Sequence, residues 1–200
     1  MKTVIFTQRV EIVPAYNERR DCADQRIAAF IAASGYLPVP VPNNAALVHS
    51  LVQALSPCGI ILTGGNSLVK YGGNAPERDA TDRALIEVSV ASAIPLYGFC
   101  RGMQSVLDYF RETLVDVKGH VAVRHRLISS LWGNREVNSY HNQACRSLAS
   151  SEFEMLAETD DGVIEAVRHK TVPIAATMWH PERDSPFASE DVEFVKKIFG

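Results

Sequence analysis

Ile94-Pro-Leu-Tyr-Gly-Phe-Cys100-Arg-Gly-Met-Gln-Ser-Val-Leu-Asp-Tyr-Phe110 changes periodicity at a single residue. Pro95 to Phe99 is a short apolar run that reads as a buried strand. Beyond it, Met103, Val106, Leu107 and Phe110 recur at helical spacing. Cys100 stands at the switch, between Gly98 and Gly102 in the pattern G-F-C-R-G. Strand, sharp turn and helix with a nucleophile at the turn make a nucleophile elbow. The backbone is strained at such a turn, so its neighbours must lack side chains. The helix that starts there turns its free N–H groups and positive dipole end toward the sulfur, which favours a thiolate. A buried core cysteine at a strand end is the alternative reading, and its partners elsewhere in the chain decide between the two.

Outward from the elbow, strands and helices alternate. Thr3 to Thr7 is a β-branched and aromatic strand followed by Gln8 and Arg9, and Val13 to Asp21 is an irregular polar stretch. A helix follows, with Asp21 or Asp24 as its cap and Gly35 as its stop. Leu37 to Val41, broken by prolines, reads as an edge strand. Ala45 to Leu55 is a helix, Gly59 to Leu62 a buried strand, Thr63-Gly-Gly-Asn-Ser67 a glycine loop, and Glu77 to Ala93 a helix opened by Pro76. The second half carries short strand patterns at 114–117, 124–129, 136–140, 153–157, 163–167 and 174–178, and a helix at 189–199. The alternation predicts an α/β fold of three layers, flavodoxin-like, with a mostly parallel central sheet, helices on both faces and a small added antiparallel region. Ligands of such sheets collect at the C-terminal strand ends. Arg9, Gly64–Gly65 and Cys100 all follow strands and so share that edge.

Bulk properties exclude several classes. The 200 residues carry a net charge of −3, with 22% charged and 46% hydrophobic residues, so no basic footprint for nucleic acid is present. No apolar run is long enough to span a membrane. Met-Lys-Thr-Val-Ile-Phe-Thr leads directly into a strand pattern without a signal-peptide core. The four cysteines are scattered, with no C-x-x-C pair. A cytoplasmic, reducing setting without disulfides or zinc is therefore the expectation.

After the last strand comes Met178-Trp-His180-Pro-Glu182. Residues two apart on an extended chain share a side, so Glu182 can hold the imidazole of His180 while its other nitrogen meets Cys100. That is nucleophile, base and orienting acid. Donors for a developing oxyanion are expected from the backbone N–H of Arg101 and from the Gly64–Gly65 loop, with Gly65 the main candidate. His49, His120, His125 and His169 read as structural or surface residues, since their spacing suggests no metal site, and no cofactor is expected.

L-T-G-G-N (62–66), G-F-C-R-G-M-Q (98–104), V-N-S-Y-H-N-Q (137–143) and W-H-P-E (179–182), in this order, resemble the class I (triad) glutamine amidotransferase superfamily. The resemblance spans most of the chain and implies one such domain over residues 1–200. It implies hydrolysis of a γ-glutamyl amide through a γ-glutamyl-thioester on Cys100, with His180 as base and acid and Glu182 as its partner. It also implies that Gln104, Asn138, Ser139, Tyr140 and His141 grip the glutamyl end. Arg101 after the cysteine is similar to the free-standing γ-glutamyl hydrolases. Thr7-Gln-Arg9, Tyr16 to Asp21 and Ala75 to Asp79 are similar to the group acting on γ-glutamyl-CDP-amidate, which makes cytidine diphosphoramidate for capsule decoration. Ser67 stands where that group is expected to carry Asp.

A diphosphate leaving group calls for guanidinium donors, and Arg9, Arg19 and Arg20 lie at the ligand edge. Ion pairs with Glu18 or Asp21 are their alternative use. Three rival readings stand beside this one. They are a hydrolase of γ-glutamyl amines such as γ-glutamyl-γ-aminobutyrate, a glutaminase subunit of a separate synthetase, and a redox sensor built on the elbow cysteine. His180 and Glu182 argue against the sensor, because a sensor thiol needs no acid for a leaving amine. A small-molecule γ-glutamyl substrate is the expected partner, with neither nucleic acid nor membrane.

Overall fold

A computed structural model describes residues 1–200. In chain order the first half contains β1 (Thr3–Phe6), β2 (Arg9–Val13), β3 (Glu18–Cys22), α1 (Gln25–Ala33), β4 (Leu37–Pro40), α2 (Val48–Leu55), β5 (Gly59–Leu62), α3 (Pro76–Ser92), β6 (Leu96–Phe99) and α4 (Arg101–Tyr109). The second half contains β7 (Val115–Asp116), β8 (Val121–Ser129), β9 (Arg135–Tyr140), β10 (Gln143–Ala144), β11 (Phe153–Thr159), β12 (Ile164–His169), β13 (Ile174–Thr177) and α5 (Ser189–Phe199).

Nine strands form one sheet in the order β4-β1-β5-β6-β13-β12-β11-β8-β9. From β4 to β13 the pairs are parallel. From β13 to β9 they are antiparallel. The antiparallel strands thus extend the parallel sheet itself. The proline-bearing β4 lies at an edge, where a missing N–H costs no ladder bond.

Alternation along the central strands sorts side chains onto two faces. Ile5, Ile60, Leu62 and Leu96 join Val48, Leu85, Val88, Met103, Val106 and Leu107 from α2, α3 and α4 in one core. Val4, Phe6, Ile61, Tyr97 and Phe99 join Phe30 and Ile31 of α1 and Phe194, Val195 and Phe199 of α5 in the other. Covered on both sides, β5 and β6 have every residue buried, which is why they read as unbroken apolar runs. Helix α1 begins after Asp24, whose carboxylate accepts from the Arg26 N–H, so this residue rather than Asp21 is the cap.

The stretch read as irregular, residues 13–21, is instead part of a hairpin. β2 and β3 pair antiparallel from Arg9↔Cys22 to Val13↔Glu18, separately from the main sheet. Asn17 at its tip takes φ 52°, a conformation Asn tolerates. The hairpin is tied to the glycine loop: the Val10 N–H donates to Asn66 Oδ1 at 2.8 Å and Asn66 Nδ2 donates to the Val10 carbonyl at 3.0 Å. Only Val10 and Ile12 alternate on β2, and β3 is charged and exposed, so the apolar signal is too short to mark the hairpin in the sequence.

Candidate active site

Strand β6 ends at Phe99, and Cys100 follows with φ 52° and ψ −110°. A non-glycine residue rarely adopts that conformation, which costs about 1–3 kcal/mol and persists only where the surroundings impose it. Here they do. The Cys100 N–H donates to the Thr177 carbonyl at 2.8 Å, and its carbonyl accepts from the Gln104 N–H at 3.1 Å. The flanking glycines have no room for a side chain. A Cβ on Gly102 would lie 2.0 Å from the Leu62 carbonyl oxygen, and one on Gly98 would lie 2.7 Å from the Gly102 carbonyl carbon. Packing between α4 and the sheet thus fixes the elbow.

His180 and Glu182 follow β13, the strand next to β6. His180 Nδ1 and Glu182 Oε1 are 2.7 Å apart, with both side chains buried. Burial pulls the His180 pKa down, but the Cys100 sulfur and the Glu182 carboxylate outweigh it and push it up to about 10. At neutral pH the imidazole is therefore protonated beside the Cys100 sulfur. Phe99 and Tyr140 meet the ring edge-on, at centroid distances of 5.7 and 5.6 Å. Asn138 on β9 clamps its backbone: it accepts from the His180 N–H at 3.0 Å and donates to the His180 carbonyl at 2.9 Å.

Across the ring lies the glycine loop. A Cβ on Gly64 would come 2.5 Å from His180 Cε1. The loop is held from behind by Arg78 on α3, whose guanidinium is completely buried. Arg78 donates to the carbonyls of Gly65 (2.6 Å), Thr63 (2.7 Å) and Gly64 (2.9 Å). Burial and the charge of Arg101 lower its pKa to about 9, which still leaves it a cation at neutral pH. Three successive carbonyls are thereby committed to one side. Sequence reasoning missed this residue: an arginine early in a helix reads as solvated.

The remaining expected site residues divide. Arg101 opens α4, so its N–H has no partner one turn earlier. Its side chain, however, is buried in ion pairs with Asp79 and Asp82 of α3. Gln104 donates to the Gln143 carbonyl at 2.9 Å. Ser139 donates to the His120 carbonyl at 2.7 Å, and His141 Nε2 stands 3.3 Å from Glu165 Oε1. Tyr140 is exposed and carries the Arg183 guanidinium over its ring at 4.0 Å.

Of the three arginines, Arg9 alone packs on the glycine loop, its Cβ 3.2 Å from where a Gly65 side chain would start. Its exposed guanidinium pairs with Glu11. Arg19 is engaged by Glu77 and the Asn74 carbonyl, and Arg20 by Glu18 and Tyr16.

A cysteine held at an elbow beside a buried His–Glu pair, on the C-terminal edge of an α/β sheet, has the arrangement that cysteine-based acyl transfer requires. A family model described as glutamine amidotransferase class-I matches residues 20–196. The chain belongs to the class-I glutamine amidotransferase family. It is 30% identical over 204 residues to a gamma-glutamyl-CDP-amidate hydrolase of Campylobacter jejuni, covering 97% of this chain and 96% of that one. It is 29% identical over 229 residues to a gamma-glutamyl-gamma-aminobutyrate hydrolase of Escherichia coli O157:H7, covering 92% and 89%. A crystal structure of a protein from Thermoplasma acidophilum, assigned as part of a GMP synthase, shares the fold, with a TM-score of 0.75 at 18% identity over 100% of this chain and 94% of that one. No helix is long and apolar enough to cross a membrane.

Proposed function

We propose that residues 1–200 act as one domain that hydrolyses a γ-glutamyl amide, with Cys100 as nucleophile, His180 as general acid and base, and Glu182 as the group that orients His180. The observation carrying this reading is the 2.7 Å His180–Glu182 pair beside the strained Cys100. The Cys100 sulfur attacks the γ-carbonyl carbon, and the charge that develops on oxygen is received by the N–H groups of Arg101 and Gly65. As the C–N bond breaks, His180 passes its proton to the leaving nitrogen. A γ-glutamyl-thioester remains. Water, losing a proton to His180, then attacks it, the C–S bond breaks, and glutamate leaves.

For the leaving group, the reading is a nucleoside diphosphoramidate such as CDP-amidate, with Arg9 contacting phosphate. The support is the placement of Arg9 on the glycine loop, together with the similarity to the Campylobacter jejuni enzyme over nearly the whole of both chains. Gln104, Asn138, Ser139, Tyr140 and His141 shape the glutamyl end, Asn138 and Ser139 through the backbone groups they hold. The similarity to an aminobutyrate-conjugate hydrolase favours a γ-glutamyl amine as the second reading.

The test is glutamate release by the purified chain from γ-glutamyl-CDP-amidate, γ-glutamyl-γ-aminobutyrate and glutamine, with Cys100→Ala as control. Preference for the nucleotide is expected. Preference for the amine conjugate would keep the triad and discard the phosphate contact.

A further inference from the structure

The antiparallel half of the sheet gathers polar groups that take no part in the bond-breaking steps. Glu165 on β12 is fully buried, and neither of its carboxylate oxygens has a hydrogen-bond partner. Its polar neighbours are two histidines. His125 Nε2, on β8, stands 3.4 Å from Glu165 Oε2. His141 Nε2, just after β9, stands 3.3 Å from Glu165 Oε1. Both nitrogens are buried and unpartnered. His120, just before β8, directs Nε2 to Asp161 Oδ2 at 3.3 Å and leaves its buried Nδ1 free. One donor atom from each of His120, His125 and Glu165 lies within 4.8 Å of the other two.

A carboxylate removed from water must be hydrogen-bonded, paired or bound to a metal. The two histidine nitrogens face the carboxylate without the aimed geometry of an N–H···O bond, at separations beyond the usual range of about 2.7–3.2 Å. Two ligands sharing a tetrahedral zinc, each about 2.0–2.2 Å from it, stand roughly 3.3–3.5 Å apart. The His125–Glu165 separation of 3.4 Å matches that spacing. The surroundings match as well. A metal-bound histidine almost always gives its other nitrogen to a carboxylate or carbonyl, and a ligating carboxylate is itself held by a neighbour. Asp161 stands in that position for His120, and His141 lies beside the second Glu165 oxygen.

We propose that His120 Nδ1, His125 Nε2 and Glu165 Oε2 form a binding site for a divalent transition-metal ion of the zinc type, with Asp161 and His141 orienting two of the ligands. Two imidazoles and one carboxylate suit zinc and its neighbours rather than magnesium or calcium. The ion fastens the start of β8 to β12. The His120 carbonyl also receives the His141 N–H at 3.0 Å and the Ser139 hydroxyl at 2.7 Å. Ser139 adjoins Asn138, which clamps His180. The site therefore braces the strand that holds the imidazole.

The test uses full-length protein without a polyhistidine tag, in a Cys100→Ser background so that the active-site sulfur cannot bind the probe. Apoprotein is titrated with Zn²⁺ and, in parallel, with Co²⁺, whose visible absorption reports low-coordinate nitrogen and oxygen ligation. One equivalent per chain is expected, with a rise in unfolding temperature. Glu165→Gln and His125→Ala should weaken binding at least tenfold, and Asp161→Asn by about 10- to 100-fold. Absence of stoichiometric binding and of a cobalt spectrum in the otherwise unaltered chain would overturn the site without relying on any ligand variant. So would unchanged binding in folded Glu165→Gln protein.

Discussion

Gly64 and His180 are in such close contact that a single methyl group on the glycine would reach 2.5 Å from Cε1 of the imidazole. The bare α-carbon is the wall on which the ring rests. Gly64→Ala must push either the ring or the loop, and an error of about 1 Å in a reacting group can cost roughly 10²-fold in rate. A fall in kcat of that order, with a near-native circular dichroism spectrum, is the expected result of steady-state assays. A variant within twofold of the parent would show that the loop yields freely.

Glu182→Gln removes one of the two groups that hold the His180 pKa up at about 10. Its first consequence is kinetic: the alkaline limb of the kcat/KM profile moves to lower pH, because the imidazolium loses its proton earlier. Its second concerns folding. Unfolded histidine titrates near 6.5, so between about 6.5 and 10 the native chain binds a proton that the unfolded one does not. Stability from this pair is complete below the lower value and is lost as pH rises through the upper one. Urea unfolding at pH 7 and pH 9 should show a smaller decline for Glu182→Gln than for the parent.

Arg78→Lys preserves the charge behind the glycine loop but not its shape. A point-like ammonium cannot serve the carbonyls of Thr63, Gly64 and Gly65 together as the planar guanidinium does. Leaving even one buried carbonyl unpaired costs about 1–3 kcal/mol. Denaturant unfolding should register a loss of that size, accompanied by a lower kcat. Equal stability of the two proteins would mean that the loop holds itself.

Arg9→Ala separates the two leaving-group readings. A hydrogen bond to a charged group contributes about 1.5–3 kcal/mol, which corresponds to roughly 10- to 100-fold in affinity. KM for a nucleotide-linked substrate should rise by that factor while KM for γ-glutamyl-γ-aminobutyrate stays put. Arg20→Ala, which removes a guanidinium already engaged by Glu18 and Tyr16, should change neither. An unchanged nucleotide KM for Arg9→Ala would sink the phosphate contact.

The elbow and the pair after β13 were legible in the sequence because each is set by short-range constraints. Glycines two residues either side of Cys100 announce a turn that tolerates no side chain, and His180 and Glu182 lie two apart on an extended segment. The buried strands were legible because they are covered on both faces. What escaped depends on register between distant segments. His120, His125 and Glu165 span three positions that come together only through the pairing of β8, β11 and β12, and no spacing rule expresses that. Arg78 escaped because nothing local distinguishes a buried arginine from a solvated one. The β2–β3 hairpin escaped for lack of alternation, though Val10 and Ile12 before a Pro-Ala-Tyr-Asn turn were a faint signal.

The hairpin's attachment has a consequence for how such proteins diversify. It pairs only with itself, contributes no residue to either hydrophobic core, and reaches the rest of the chain through the packing of Arg9 on the glycine loop and polar contacts such as Val10–Asn66, Asp21–Asn43 and Arg19–Glu77. Its length and charge can therefore be rewritten without repacking the interior or moving the bond-breaking groups. On the proposed reading, the arginine that meets the leaving group and the groups that break the bond sit on separate pieces of chain, so one can drift while the other is kept.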